Sequence, residues 1–193
     1  MQRIIWHWSG GGHKANNSDK RHYHFIIEGN GTVVAGNHPP EANAVIHNPT
    51  DGNTYAAHTR GLNTGSIGIA LAAMRSAHER PFSAGPSPIT EAQLDALARL
   101  TARLCTQYGI PLQRDTVLTH AEVQPTLQVA QRGKWDITWV PGMSDVGDPV
   151  AVGDGLRDRV ANTLLANPVD DSQPVNPIIK LIRAIIAAFR GRK

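Results

Sequence analysis

What this sequence lacks narrows it first. Its 193 residues contain one cysteine, Cys105. No internal disulfide framework can therefore stand in for a hydrophobic core, and synthesis in a reducing compartment is open to it. No apolar run reaches the roughly 18–20 residues of a membrane-spanning helix. The apolar opening Arg3–Trp8 runs straight into polar residues and glycines, which is not the pattern of a secretory signal. The main body has no basic cluster interleaved with aromatics, which argues against a nucleic-acid partner. Acidic residues are missing from Pro177 to Lys193, where Lys180, Arg183, Arg190, Arg192 and Lys193 fall. Those five positive charges exceed the net charge of +3, so residues 1–176 carry −2 and the pI near 9.3 belongs to the tail. The remainder is ordinary globular material, 40% hydrophobic and 18% charged, long enough for one domain with an appendage.

Periodicity and turn residues then divide the chain. Arg3–Trp8 reads as a short buried strand, followed by a polar, glycine-rich loop from Ser9 to Arg21. Tyr23–Ile27 and Thr32–Ala35 flank Asn30-Gly31, a pair that favours the positive φ angles of a two-residue hairpin turn. Residues 36–65, rich in Asn, Pro, Gly and His, read as a long surface excursion, and Ser66–Ala73 as another buried strand. Thr90-Glu91-Ala92-Gln93 has the pattern of a capping box. The helix it opens keeps Leu94, Leu97, Leu104, Cys105 and Tyr108 on one face and ends at Gly109, before Pro111. Cys105 is read as inert core.

Thr116–Thr119 is a further strand with His120 at its end; a loop runs to Trp139 and a helix covers Asp154–Ala166. Residues 167–176, with two prolines and two aspartates, form a linker. Asn176 and Pro177 open a final helix. Ile178, Ile182, Ile185 and Phe189 share one of its faces, opposite Lys180, Arg183 and Arg190. There is no internal repeat. Strands interleaved with helices predict an α/β domain over residues 1–166, a mixed central sheet flanked by helices, plus a C-terminal amphipathic helix over 177–193.

Nine histidines invite a metal hypothesis, yet a lone histidine is commonly a surface or hydrogen-bonded residue. Position is more informative. His7 lies within a buried strand, His120 lies where another strand ends, and Asp136 follows in the loop beyond. A catalytic zinc needs three protein ligands from His, Asp, Glu or Cys and one open position for water. This trio meets the count, although no short local motif such as H-E-x-x-H accompanies it. On spacing alone, three unconnected residues are the stronger reading.

Four segments follow one another over roughly residues 3–140. They are Ile4-Ile5-Trp6-His7; Tyr23-His24-Phe25-Ile26-Ile27 with Gly31-Thr32-Val33; Ala57-His58 with Asn63 and Ser66-Ile67-Gly68-Ile69; and Leu118-Thr119-His120 with Lys134-x-Asp136. In that order they resemble the type-2 N-acetylmuramoyl-L-alanine amidases. These zinc amidases include bacteriophage lysozyme-amidases and are similar to peptidoglycan recognition proteins. The resemblance implies their mixed-sheet fold, zinc held by His7, His120 and Asp136, catalytic roles for Tyr23 and Lys134, and His58 on the substrate side. Many members carry a glutamate where this chain has Ala70, so the resemblance points to the Tyr23 and Lys134 variant of phage enzymes. A second departure is the glycine-rich Ser9–Arg21 connection, where relatives usually carry a helix. His24 alternates with Tyr23 along its strand, should face the other way, and is read as structural.

The implied reaction is hydrolysis of the amide between the lactyl group of N-acetylmuramic acid and L-alanine of the stem peptide. Zinc would activate water and polarise the carbonyl. Lys134 would face the developing oxyanion, and Tyr23 would hydrogen-bond either the water or the carbonyl. Peptidoglycan is the implied partner. A non-catalytic peptidoglycan-binding module of the same fold is the rival, and an acidic third ligand, Asp136, favours the enzyme. The basic tail either docks on the domain or seeks an anionic membrane or lipopolysaccharide, and in a third reading it is itself the main activity. An endolysin of a phage or prophage would then be made in the host cytoplasm and act on the cell wall, in the periplasm, after release.

Overall fold

A computed structural model describes residues 1–46 and 54–166. The expected linker over 167–176 and basic helix over 177–193 lie outside the described residues.

The architecture follows from one central strand. β1 (Arg3–Trp8) pairs in parallel with β4 (Ser66–Leu71) on one side and with β5 (Val117–Thr119) on the other. β2 (Phe25–Ile27) pairs in parallel with β4 and antiparallel with β3 (Val33–Ala35). The order is β3-β2-β4-β1-β5, a mixed five-stranded sheet flanked by helices, as expected. Every residue of β4 is buried, as a strand covered on both faces requires.

Alternation along β1 sorts its side chains between two faces. Ile4, Trp6 and Trp8, in register with Ile67, Ile69 and Leu71, join the main core. That core is closed by α2 (Glu91–Tyr108) and α4 (Pro149–Ala166), which pack on each other. The Trp6 indole N–H donates to Thr101 Oγ1 of α2 at 3.0 Å, so the largest core side chain is buried with its polar atom satisfied. Ile5 points the other way and packs with Leu118 and Val123, the latter from α3 (His120–Leu127). His7 shares the face of Ile5. One strand thus fills the core with its even residues and offers a histidine to the α3 face.

Several expectations are corrected. The Ser9–Arg21 connection is not all loop, because α1 (Asn17–His22) occupies its end. Asn16 accepts from the Ser18 and Asp19 N–H groups, and Asp19 returns the bond to the Asn16 N–H. Six residues without apolar periodicity concealed it. The segment after His120 opens with α3, started by the reciprocal Thr119–Glu122 capping box and hidden by Pro125 within it. α4 begins five residues early, at Pro149, where Asp148 accepts from the Val150 and Ala151 N–H groups. The hairpin turn has three residues. Gly31 N–H bonds Glu28 C=O at 2.8 Å and Glu28 N–H bonds Thr32 C=O at 2.9 Å, with Gly31 alone at positive φ (84°). The 36–65 excursion is also more than surface. Asn43, fully buried in a 3-10 turn over Pro40–Asn43, bonds the Ala56 and Asn63 backbones and pins the segment carrying His58.

Candidate metal centre

Two strand ends and one loop deliver the predicted trio to a single point. His7 lies near the C-terminal end of β1, and His120, directly after β5, is the first residue of α3. The carboxyl ends of parallel strands are where α/β sheets place ligands. Asp136 arrives on a loop bent by left-handed residues at Gln128, Arg132, Gly133 and Ile137. Three of these are not glycine, a strained arrangement costing about 1 kcal/mol or more per residue. Trp135 locks the loop by packing edge-on against Trp8, ring centroids 4.6 Å apart, and Asp136 C=O accepts the Ala121 N–H of α3.

The donor atoms form a triangle. His7 Nδ1 to His120 Nδ1 is 3.0 Å, His120 Nδ1 to Asp136 Oδ2 is 3.2 Å, and His7 Nδ1 to Asp136 Oδ2 is 3.4 Å. Tetrahedral zinc, with ligand distances of about 2.0–2.2 Å, sets neighbouring donors about 3.3–3.6 Å apart. The triangle's sides, 3.0–3.4 Å, lie at and slightly under that spacing, and the donor types suit zinc. No other group of three or more such residues is close enough among the described residues.

The far nitrogens determine which ring atoms are free. Gln131 Oε1 accepts from His120 Nε2–H at 2.9 Å, while its amide donates to the carbonyls of Arg60 and Val129. The amide's orientation is thereby set, and His120 Nδ1 keeps its lone pair for the centre. His7 Nε2 meets His58 Nδ1 at 3.2 Å and Thr59 Oγ1 at 3.3 Å. Asn63 accepts both the His58 and Thr59 backbone N–H groups, so that pair is held rigidly. Such partners behind ligating histidines fix tautomer and ring orientation.

Burial, followed by repulsion from His120 and Lys134 and opposed by Asp136, lowers the His7 pKa to about 4. Burial also carries His58 well below its ordinary range. For Asp136 burial acts upward, but the neighbouring His120 and His7 rings prevail and hold the carboxyl well below the usual range. At neutral pH the centre thus presents a carboxylate and a His7 lone pair, the protonation a metal requires. Burial, with Asp136 and Asp19 adding to it, raises the Tyr23 phenol, which stays protonated.

His7 is fully buried, and beside it His120 and Asp136 line a cleft of about 420 Å³. Tyr23 lines it with its ring centroid 5.2 Å from that of His7, and Lys134 lines the same cleft, exposed. Asp136 is the one carboxylate among the described lining residues, and Ala70 lies opposite His7 in the β1–β4 register. Tyr23 itself is not in β2; it follows α1, and its N–H closes that helix on Asp19 C=O. His58 is 8% exposed and sits behind His7 as well as on the cleft wall. His24 is away from the cleft, its Nδ1 accepting the Gly68 N–H at 2.9 Å to extend the β2–β4 ladder. Sequence reasoning missed Gln131, Thr59 and the cleft residues Arg60 and Arg132. No local pattern marks any of them.

The family described as N-acetylmuramoyl-L-alanine amidase matches residues 1–142. The chain belongs to that family. No curated protein matches the sequence. Among solved structures it is similar to N-acetylmuramoyl-L-alanine amidase LysC from Clostridium intestinale URNW. That pair is 17% identical over 80% of this chain and 84% of that one, with a TM-score of 0.46. The amidase AmiD from E. coli, solved with an anhydro-N-acetylmuramic acid peptide, is 18% identical over 70% of this chain and 55% of its own, TM-score 0.45. Drosophila peptidoglycan recognition protein SA is 16% identical over 76% and 75%, TM-score 0.42.

Proposed function

We propose that this chain is a zinc-dependent N-acetylmuramoyl-L-alanine amidase, hydrolysing the bond between N-acetylmuramic acid and L-alanine of peptidoglycan. The observation that carries this reading is the donor triangle of His7, His120 and Asp136, two of which line an open cleft. Family membership over residues 1–142 supplies the substrate class. When bound at such a site, zinc supplies an activated water at neutral pH and a Lewis acid for the scissile carbonyl.

The chain's own groups do the rest. His7, His120 and Asp136 would hold the ion, Asp136 offsetting half its charge while the cleft side stays open. Lys134, exposed at the cleft and without an ion-pair partner among the described residues, directs its ammonium toward the oxyanion that develops on the carbonyl. Tyr23, its phenol kept protonated by burial, acts as a hydrogen-bond donor rather than as a base. His58 and Thr59 orient His7 from behind. Tyr23 and Lys134 together with Ala70 support the phage lysozyme-amidase variant, and with it the role of a phage or prophage endolysin acting on the cell wall.

The test digests purified sacculi and measures bound zinc and new L-alanine amino termini. His7→Ala and Asp136→Ala should each lose both zinc and product, and full activity in either would sink the ligand assignment. Lys134→Ala should retain zinc while kcat falls about 10²–10³-fold, the typical loss on removing one oxyanion donor. A wild-type chain that binds zinc and sacculi but releases no amino termini would instead be a binding module.

A further inference from the structure

Beneath the centre lies a buried ion pair that the chemistry above does not use, one partner of which, Arg157, is outside the family-matched region. Glu122, fully buried in the first turn of α3, accepts the Thr119 N–H on Oε2 at 2.7 Å. Thr119 immediately precedes His120. Arg157 of α4, itself only 6% exposed, grips the same carboxylate: one nitrogen reaches Oε1 at 2.7 Å, the other Oε2 at 3.2 Å. The second nitrogen also donates to Val117 C=O of β5 at 2.8 Å. One guanidinium therefore bonds both the strand that leads into His120 and the helix that begins with it. Asp154, bridged in turn by Arg114, holds the guanidinium from the solvent side.

α4 is shaped to admit this contact. Gly153 lies one helical turn before Arg157, and a Cβ there would come within 2.0 Å of Glu122 Oε2. The carboxylate thus rests against bare helix backbone. Residues 149–166 follow the family match, which ends at 142.

We propose that Arg157 is a positioning residue for the metal centre. Through Glu122 and Val117 it sets the β5–α3 junction, and so the place of the His120 ring relative to His7 and Asp136. This rests on the metal-binding reading of the trio. A planar, five-donor fork suits the task, since it can bond three acceptors in fixed directions where an ammonium cannot. Ligand placement errors well under 1 Å reduce the fit of a tetrahedral ion, and residues behind metal ligands typically govern 10–100-fold in affinity.

The experiment measures zinc affinity of the full chain by competition with a chromophoric chelator, alongside thermal melts of the metal-free protein. Arg157→Met should weaken zinc binding about 10–100-fold. Because it leaves Glu122 charged and buried, that variant can fail to fold. Glu122→Gln/Arg157→Met removes both charges, a replacement that commonly preserves folding. It should melt as a cooperative unit yet bind zinc at least about tenfold more weakly. Arg159→Ala, on the same helix as Arg157, removes the exposed pairs to Glu91 and Asp95 of α2 and should bind zinc as wild type does. Wild-type affinity in the folded double variant, or equal losses in Arg159→Ala, would overturn the proposal. A wild-type chain that binds no zinc would remove the metal reading itself, a distinguishable result.

Discussion

At the scale of single residues, the centre depends on which nitrogen each histidine turns inward. Both His7 and His120 present Nδ1, because each Nε2 is engaged elsewhere: on Gln131 for one ring, on His58 and Thr59 for the other. A neutral imidazole has one donor and one acceptor, so fixing the N–H at Nε2 leaves the lone pair at Nδ1. Gln131→Ala removes the acceptor from His120 and should lower zinc affinity about tenfold without changing the fold. Chelator competition together with far-UV circular dichroism checks both halves. The ligand candidates were legible in the chain because strand ends and family motifs mark them. Gln131 was not. Its relevance depends on the Arg60 carbonyl, 71 positions away, orienting its amide.

At the scale of elements, helix starts carry more of the design than their length implies. α1 and α3 both open with reciprocal capping boxes, and α3's box is also the seat of His120. Thr119-x-x-Glu122 and Asp148-Pro149 were readable start signals, obscured by Pro125 in one case and by Gly153 and Gly155 in the other. Those two glycines separate cleanly. Alanine is the better helix former by about 1 kcal/mol. Gly155 has nothing within 4 Å of an added Cβ, so Gly155→Ala should be neutral or stabilising. Gly153→Ala drives a methyl into the Glu122 carboxylate and should destabilise by about 1–3 kcal/mol. Urea unfolding of the two variants tests the contrast, and equal effects would contradict the packing described.

At the scale of the whole molecule, burial against the sheet imposes neutrality on His24. His24 is 1% exposed, and burial, partly opposed by hydrogen bonding, lowers its pKa from 6.5 to about 4. The unfolded chain takes up a proton near pH 6.5, whereas the folded chain resists until about pH 4. Stability is therefore complete above pH 6.5 and falls as the pH drops from 6.5 to about 4, on the order of 3 kcal/mol from this residue. Melts of the metal-free protein between pH 7.5 and 4.5 should show the decline, and His24→Phe should flatten it if the variant folds. A profile in the variant as steep as in wild type would assign the decline to other groups.

By itself the sequence determined the mixed α/β class, the main strands and α2, which follow from local periodicity and caps that neighbours in the chain express without help. Three candidate donor residues came from the family resemblance. Only the tertiary structure decided that these residues form a triangle with sides of 3.0–3.4 Å, which nitrogens face it, and that Arg157 reaches back to its base. Those outcomes depend on groups tens of residues apart meeting within hydrogen-bond distance. A pairing of that kind is set by how β1, α3 and α4 pack, and no local pattern encodes it.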